Sequence, residues 1–307
     1  MFVNIPDGYA RIAWSKEVSE IMRAIRFVIA IAVLIAGPAF PQGKKIIFVA
    51  GPKDHGMVGR HEYPSDLKAL AYCLERSSNL KGITTVLHVG TRPTLEELKD
   101  AAAVVYHGSG DRTVKERHPL FPPNPNTDGK TFDAETTAYL KGLEGLMRKG
   151  LGLVVFHYTT QVANESAQQF WKDWLGGTYL SEPNVRNNPV DQWSITFKNE
   201  NHPVLRGVKP WSYKEEIFSK FDPATDSRRT DLLFATSATA PAGPRIAAWA
   251  LQRDDGGRAF MFGGIDWYSN FQIEDHRRFV LNGIIWAGKI EVPDGGVASP
   301  APEALSK

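Results

Sequence analysis

Imidazole and carboxylate side chains recur just beyond short apolar runs in this sequence. Lys45 to Ala50 runs out into Lys53-Asp54-His55-Gly56, Ala102 to Tyr106 into His107-Gly108-Ser109-Gly110-Asp111, and Leu151 to Phe156 into His157-Tyr158-Thr159-Thr160. Random placement of eight histidines seldom produces this pattern. An imidazole beside a carboxylate can act as general acid or base near neutral pH, or bind a transition metal as the neutral ring. His61-Glu62 opens the first helical stretch, where Glu62 can also simply offset the helix dipole. In Ser212-Tyr213-Lys214-Glu215-Glu216-Ile217-Phe218, an extended backbone would turn one carboxylate inward and the other outward. Asp266 follows Gly263-Gly264, where a close turn can aim a carboxylate inward, and Trp267 and Tyr268 offer either a flat stacking surface or core packing. His88 within a strand, His118 in a long loop and a solvent-facing His276 on the last helix are expected to do no chemistry.

The elements that would hold these groups follow from periodicity. Strands are expected at Lys45–Ala50, Ile83–Val89, Ala102–Tyr106 and Leu151–Phe156, with helices at Ser65–Glu75, at Thr94–Lys99 and after the cap Asp133. Strands without polar alternation, separated by helices, indicate a parallel sheet covered on both faces: a doubly wound, flavodoxin-like α/β fold with a mostly parallel sheet. The second half predicts a helix at Ser166–Leu175, strands at Trp193–Phe197 and Leu232–Thr236, and a hairpin of Ile246–Gln252 with Arg258–Phe262 around Asp254-Asp255-Gly256-Gly257. Asp275–Ala287 is the last helix. In such sheets ligands sit beyond the carboxyl ends of the strands, where the histidines project. Gly108–Thr131, rich in proline and asparagine, reads as a lid or binding loop or as an insertion without a role.

Composition bounds the rest. The chain has 307 residues, 42% of them hydrophobic and 23% charged, enough for a substantial core. Its net charge of +2 comes from interspersed charges, not a basic block, which argues against a nucleic-acid partner. Residues 22–43 carry Arg23 and Arg26, an apolar run from Phe27 to Ala36 and a small-residue exit at Gly37-Pro38-Ala39: a signal peptide, with an apolar run too short for the roughly 20 residues of a membrane span. Export to the periplasm or the extracellular space is therefore expected, with residues 1–21 as upstream sequence included in error. The domain is expected over 44–292, and 293–307 as a flexible tail. Cys73 is the lone cysteine, so no internal disulfide can form.

Taken together, GPKDHG with HEY near the first strand, GLGLVVFHY at the fourth, HPVLRGVKPWSYKEEIF in the middle, and GGRAFMFGG with RRFVLNGIIWAGKIEVP at the end resemble the ThuA-like (trehalose-utilisation) proteins. The resemblance spans about residues 45–293 and implies a class I glutamine amidotransferase-like fold. In amidotransferases the nucleophilic cysteine follows a central strand; the corresponding turn here is Phe156-His157-Tyr158-Thr159, so no glutaminase activity is expected. What the resemblance implies instead is carbohydrate metabolism, acting on a sugar or a 3-keto glycoside, with a divalent, zinc-like metal as the one cofactor in prospect. The motif positions fall on His55, His61, Glu62, His157 and Glu216. Where many relatives carry a histidine after the glycine pair, this chain has Ile265 and then Asp266.

The expectation is an exported sugar-active lyase, hydrolase or isomerase. His157, Glu216 and His61 are its catalytic groups, His55, His107, Tyr158, Asp266 and Trp267 contact substrate, and His61, Glu62 and His157 are metal ligands. The alternative is a sugar-binding module without chemistry. The expected partner is a small carbohydrate, with no stable membrane span.

Overall fold

A computed structural model describes residues 44–110, 117–127, 131–179, 188–219, 221, 226–239 and 244–305. Segments 1–21 and 22–43, read above as upstream sequence and signal peptide, lie outside the described residues. Among the described residues no helix is long and apolar enough to cross a membrane.

The strands are β1 (Lys44–Ala50), β2 (Ile83–Val89), β3 (Ala101–His107), β4 (Gly152–Phe156), β5 (Val190–Phe197), β6 (Trp211–Glu216), β7 (Arg229–Thr236), β8 (Arg245–Gln252) and β9 (Arg258–Phe262). The helices are α1 (Tyr63–Glu75), α2 (Leu95–Lys99), α3 (Ala134–Met147), α4 (Glu165–Leu175) and α5 (Glu274–Ala287). All nine described strands form one sheet in the order β2-β1-β3-β4-β9-β8-β7-β5-β6. The first five in that order pair in parallel, and the remaining pairs are antiparallel. The α/β architecture expected from the pattern is thus observed, with an antiparallel extension. The change of direction has a local cause. Parallel neighbours need a long crossover, supplied here by helices, whereas no α-helix is described between β5 and β9 and short turns such as Asp254–Gly257 suffice.

Alternation along the strands divides the core in two. Ile46, Phe48 and Ala50 of β1 face a cluster containing Leu67 and Leu70 of α1 and Phe279 and Ile284 of α5. Ile47 and Val49 face the other, with Leu140 and Leu143 of α3 and Trp171 of α4. Caps fix the helix starts: Thr94 and Glu97 form a reciprocal capping box on α2, and the Asp133 carboxylate accepts from the Thr136 N–H. Part of the loop after β3 belongs to the core, because Leu120 and Phe121 are buried beside Trp171 and the His118 ring accepts from their backbone N–H groups.

Two expectations are overturned. His276 is fully buried, its Nδ1 bonded to the Asn270 carbonyl, because α5 lies under the sheet and buries nearly its whole circumference. Residues 293–305 are docked, not loose: Val297 is buried, its N–H donates to Asn282 Oδ1, and the Tyr268 hydroxyl and Gln272 amide donate to the Glu303 and Pro302 carbonyls. A low apolar content still suffices when side chains already ordered on α5 and in the turn before it satisfy the backbone. Deleting 293–307 should lower unfolding stability by about 2–4 kcal/mol, through exposure of apolar surface and loss of the Asn282 partner. An unchanged urea midpoint would contradict this docking.

Candidate functional site

The carboxyl ends of β1, β3, β4 and β9 adjoin in the sheet, and the chain leaving each of them turns sharply. Gly56 and Gly59, with φ of 100° and 92°, bend the segment after β1 back over the sheet. It is stitched to the segment after β9 by His61 N–H to the Asp266 carbonyl (3.1 Å) and Tyr268 N–H to the Gly59 carbonyl (2.9 Å). Four described non-glycine residues have positive φ, and three of them, His61 (52°), His157 (48°) and Ile265 (78°), are in or beside this crevice. Each such conformation costs about 1–3 kcal/mol and persists only where surrounding contacts impose it.

These turns bring ligand atoms of His61, His157, Glu216 and Asp266 within 4.8 Å of one another. His61, His157 and Asp266 are buried, and Glu216 is partly exposed. His157 Nδ1 lies 3.0 Å from the Gly263 carbonyl, which can only accept, so Nδ1 carries the proton and Nε2 presents a lone pair. Burial, reinforced by the neighbouring His61, pushes the His157 imidazole well below its usual range and keeps it neutral.

His61 is oriented in the same way. Its Nδ1 is 2.8 Å from Asp54 Oδ1. Burial opposes ionisation of Asp54, but bonds from His61 and Ser109 outweigh it and hold the carboxyl well below the usual carboxylate range. Nδ1 therefore donates, and Nε2 faces Asp266 Oδ1 at 3.3 Å. His61 Nε2, His157 Nε2 and Asp266 Oδ1 are all buried without a hydrogen-bond partner. Two acceptors at that separation need a proton or a cation between them.

Charged groups surround the cluster. The Arg60 guanidinium spans both carboxylates, with Nε 2.5 Å from Asp266 Oδ2 and an amino group on Glu216 Oε2. Burial and the nearby Asp266 raise the Glu216 carboxyl, with Arg60 opposing. Glu215, fully buried, braces the floor by accepting from Glu216 N–H (2.7 Å), Asp266 N–H (3.1 Å) and the Asn270 amide (3.0 Å).

The adjacent pair at 215–216 therefore divides as the extended reading expected, with Glu216 as the member facing the cluster. Asp266 lies within the cluster, directly after Ile265. Glu62 is not among the four: it turns away to Lys53 Nζ (2.7 Å) and the Gly59 N–H (3.0 Å). His55 lies outside on the rim, its side chain 69% exposed beside Asp54. His107 lies beneath, fully buried, with Nε2 3.2 Å from Asp66. The Tyr158 ring packs against His61 and Phe218, while Trp267 has Arg60 and Lys214 over its ring, at 5.5 and 5.2 Å from the centroid. Sequence reasoning passed over Arg60, Asp54 as the orienting group of His61, and the Tyr63 and Ser109 hydroxyls that bond Asp54.

The fold and this crevice define an α/β protein whose strand ends carry a buried histidine–carboxylate cluster. The family model for ThuA, described as trehalose utilisation, matches residues 93–287, a span that includes His157, Glu216 and Asp266, and the chain belongs to this family. A ThuA-like protein from Bacteroides uniformis shares the fold at a TM-score of 0.53 and 16% identity, over 82% of this chain and 94% of that one. A second, from Parabacteroides merdae, gives 0.52 and 13%, over 84% and 97%. No curated protein sequence matches the chain.

Replacing Asp54 by Asn should destabilise the protein by about 1–3 kcal/mol at pH 7, because donors from His61, Tyr63 and Ser109 lose a charged acceptor. The folded carboxyl lies below its ordinary value of 3.8, so its contribution is full above that pH and fades as pH falls through the folded value. Urea titrations should show the gap between wild type and Asp54→Asn narrowing below that pH; a gap that widens on acidification would contradict the assignment.

Proposed function

We propose that this chain is an exported enzyme of carbohydrate metabolism that acts on a sugar or 3-keto glycoside at the His61/His157/Asp266/Glu216 crevice, with a divalent ion as its cofactor. The supporting observation is the convergence of three buried acceptor atoms lacking partners, His61 Nε2, His157 Nε2 and Asp266 Oδ1. The family description, trehalose utilisation, supports the carbohydrate assignment, and the composition of residues 22–43 supports export.

The donor set fits a zinc-like ion: two imidazoles and a carboxylate, the imidazoles oriented by outer hydrogen bonds to Asp54 and the Gly263 carbonyl. Such an ion, when bound, supplies a Lewis acid for a carbonyl or hydroxyl oxygen of the substrate. His61, His157 and Asp266 would hold it. His157 is enclosed on all sides, which suits a ligand better than a group exchanging protons with substrate. Glu216 is the group with solvent access and a raised pKa, and it serves as acid or base toward a proton next to the sugar carbonyl. The turn at His157 carries no thiol, and Cys73 is buried on α1 with its thiol raised by burial, so amidotransferase chemistry is not part of the proposal.

Metal content and turnover of 3-keto glycosides by the full chain test this reading. Wild type should retain about one zinc per chain, and His157→Ala should lose it. Glu216→Gln should keep the metal and lose about 10²–10⁴-fold in kcat. A wild type that takes up no zinc from buffer, or a Glu216→Gln protein with undiminished turnover, would refute it.

A further inference from the structure

Arg60 touches none of the orphaned acceptors, yet it decides which carboxylate oxygens remain free. Its guanidinium engages Asp266 through Oδ2 and Glu216 through Oε2, using two different nitrogens. Asp266 Oδ1 is left buried and unpartnered toward His61 Nε2. The guanidinium is itself restrained: it lies over the Trp267 ring, and Arg60 pairs in a backbone bridge with Trp267. A planar fork of this kind fixes the direction of both carboxylates, which a single ammonium cannot do.

We infer that Arg60 is a positioning residue that confines Asp266 and Glu216 to one available oxygen each and thereby selects a small, low-coordinate ion over a large oxygen-seeking one. This rests on the cation reading of the crevice given above. Zinc takes about four N/O ligands, so two imidazoles and one single-oxygen carboxylate leave it one open position. Calcium requires about 6–8 oxygens and gains most from two-oxygen carboxylates. With Arg60 in place, neither carboxylate can turn its second oxygen inward. Without it, both can rotate, and the site moves toward the calcium type. Loss of the positive charge strengthens binding of either divalent ion alike, so it cancels in the ratio of the two affinities.

The test is competition of zinc and of calcium against a fluorescent chelator in the full-length protein after metal removal, for wild type, Arg60→Ala and Arg60→Lys, with thermal unfolding as the check on folding. Wild type should prefer zinc, and the zinc-to-calcium preference should shrink at least tenfold in both variants, the scale typical of outer-shell changes at metal sites. Arg60→Lys keeps the charge and loses the fork, so it carries the test if Arg60→Ala does not fold. An unchanged ratio in either folded variant overturns the positioning role while leaving the cation reading intact. Binding of neither ion by wild type overturns both.

Discussion

His61 Nε2 and Asp266 Oδ1 face each other, buried and without a hydrogen bond, with His157 Nε2 in the same enclosure. With no proton or cation between them such acceptors repel, and the surrounding structure holds them in place. Asp54 fixes the His61 ring, the Gly263 carbonyl fixes the His157 ring, Glu215 holds the Asp266 backbone, and Arg60 holds its other carboxylate oxygen. These restraints come from three strand ends: Asp54 and Arg60 follow β1, Gly263 follows β9, and Glu215 lies at the end of β6. The cluster therefore exists only because β1, β4 and β9 lie close together in the sheet and β6 supplies Glu215 and Glu216 from its far edge.

The backbone contributes as much as the side chains. At His61, His157 and Ile265 it adopts left-handed conformations that side chains disfavour. Their concentration around one crevice indicates that packing on both faces of the sheet holds the turns against their local preference, and a preorganised set of acceptors is what results. The carboxylates find local partners: Asp266 and Glu216 share Arg60, Asp54 has four donors, and Asp66 lies against His107.

Much of this was legible in the sequence. The parallel strands show as unbroken β-branched runs, and the turn residues after them mark His55, His107 and His157 as strand-end groups. Sequence could not say which of these share an enclosure, because that depends on how far each side chain travels after its strand. His55 stays on the exposed rim, its ring edge-on to His61 at 4.2 Å between centroids, His107 drops beneath to Asp66, and His157 is the one of the three that enters the buried group with His61, Asp266 and Glu216. Arg60 was invisible for another reason: its partners lie 156 and 206 residues away, so no local spacing records them, and a basic residue after a glycine reads as ordinary surface. His276 misled because Glu274-Asp275-His276-Arg277-Arg278 looks solvated, whereas His276 and Arg277 are drawn inward by carbonyls at Asn270 and Phe271.

X-ray absorption at the zinc edge of the zinc-loaded protein addresses the cluster most directly, since it reads the atoms around the ion whatever the substrate proves to be. Two imidazole nitrogens and one or two oxygens at about 2.0–2.2 Å are the result expected. A spectrum with oxygen neighbours alone, or one that Asp266→Ala and His61→Ala leave unchanged, would place the ion elsewhere and leave the buried acceptors without the role assigned to them.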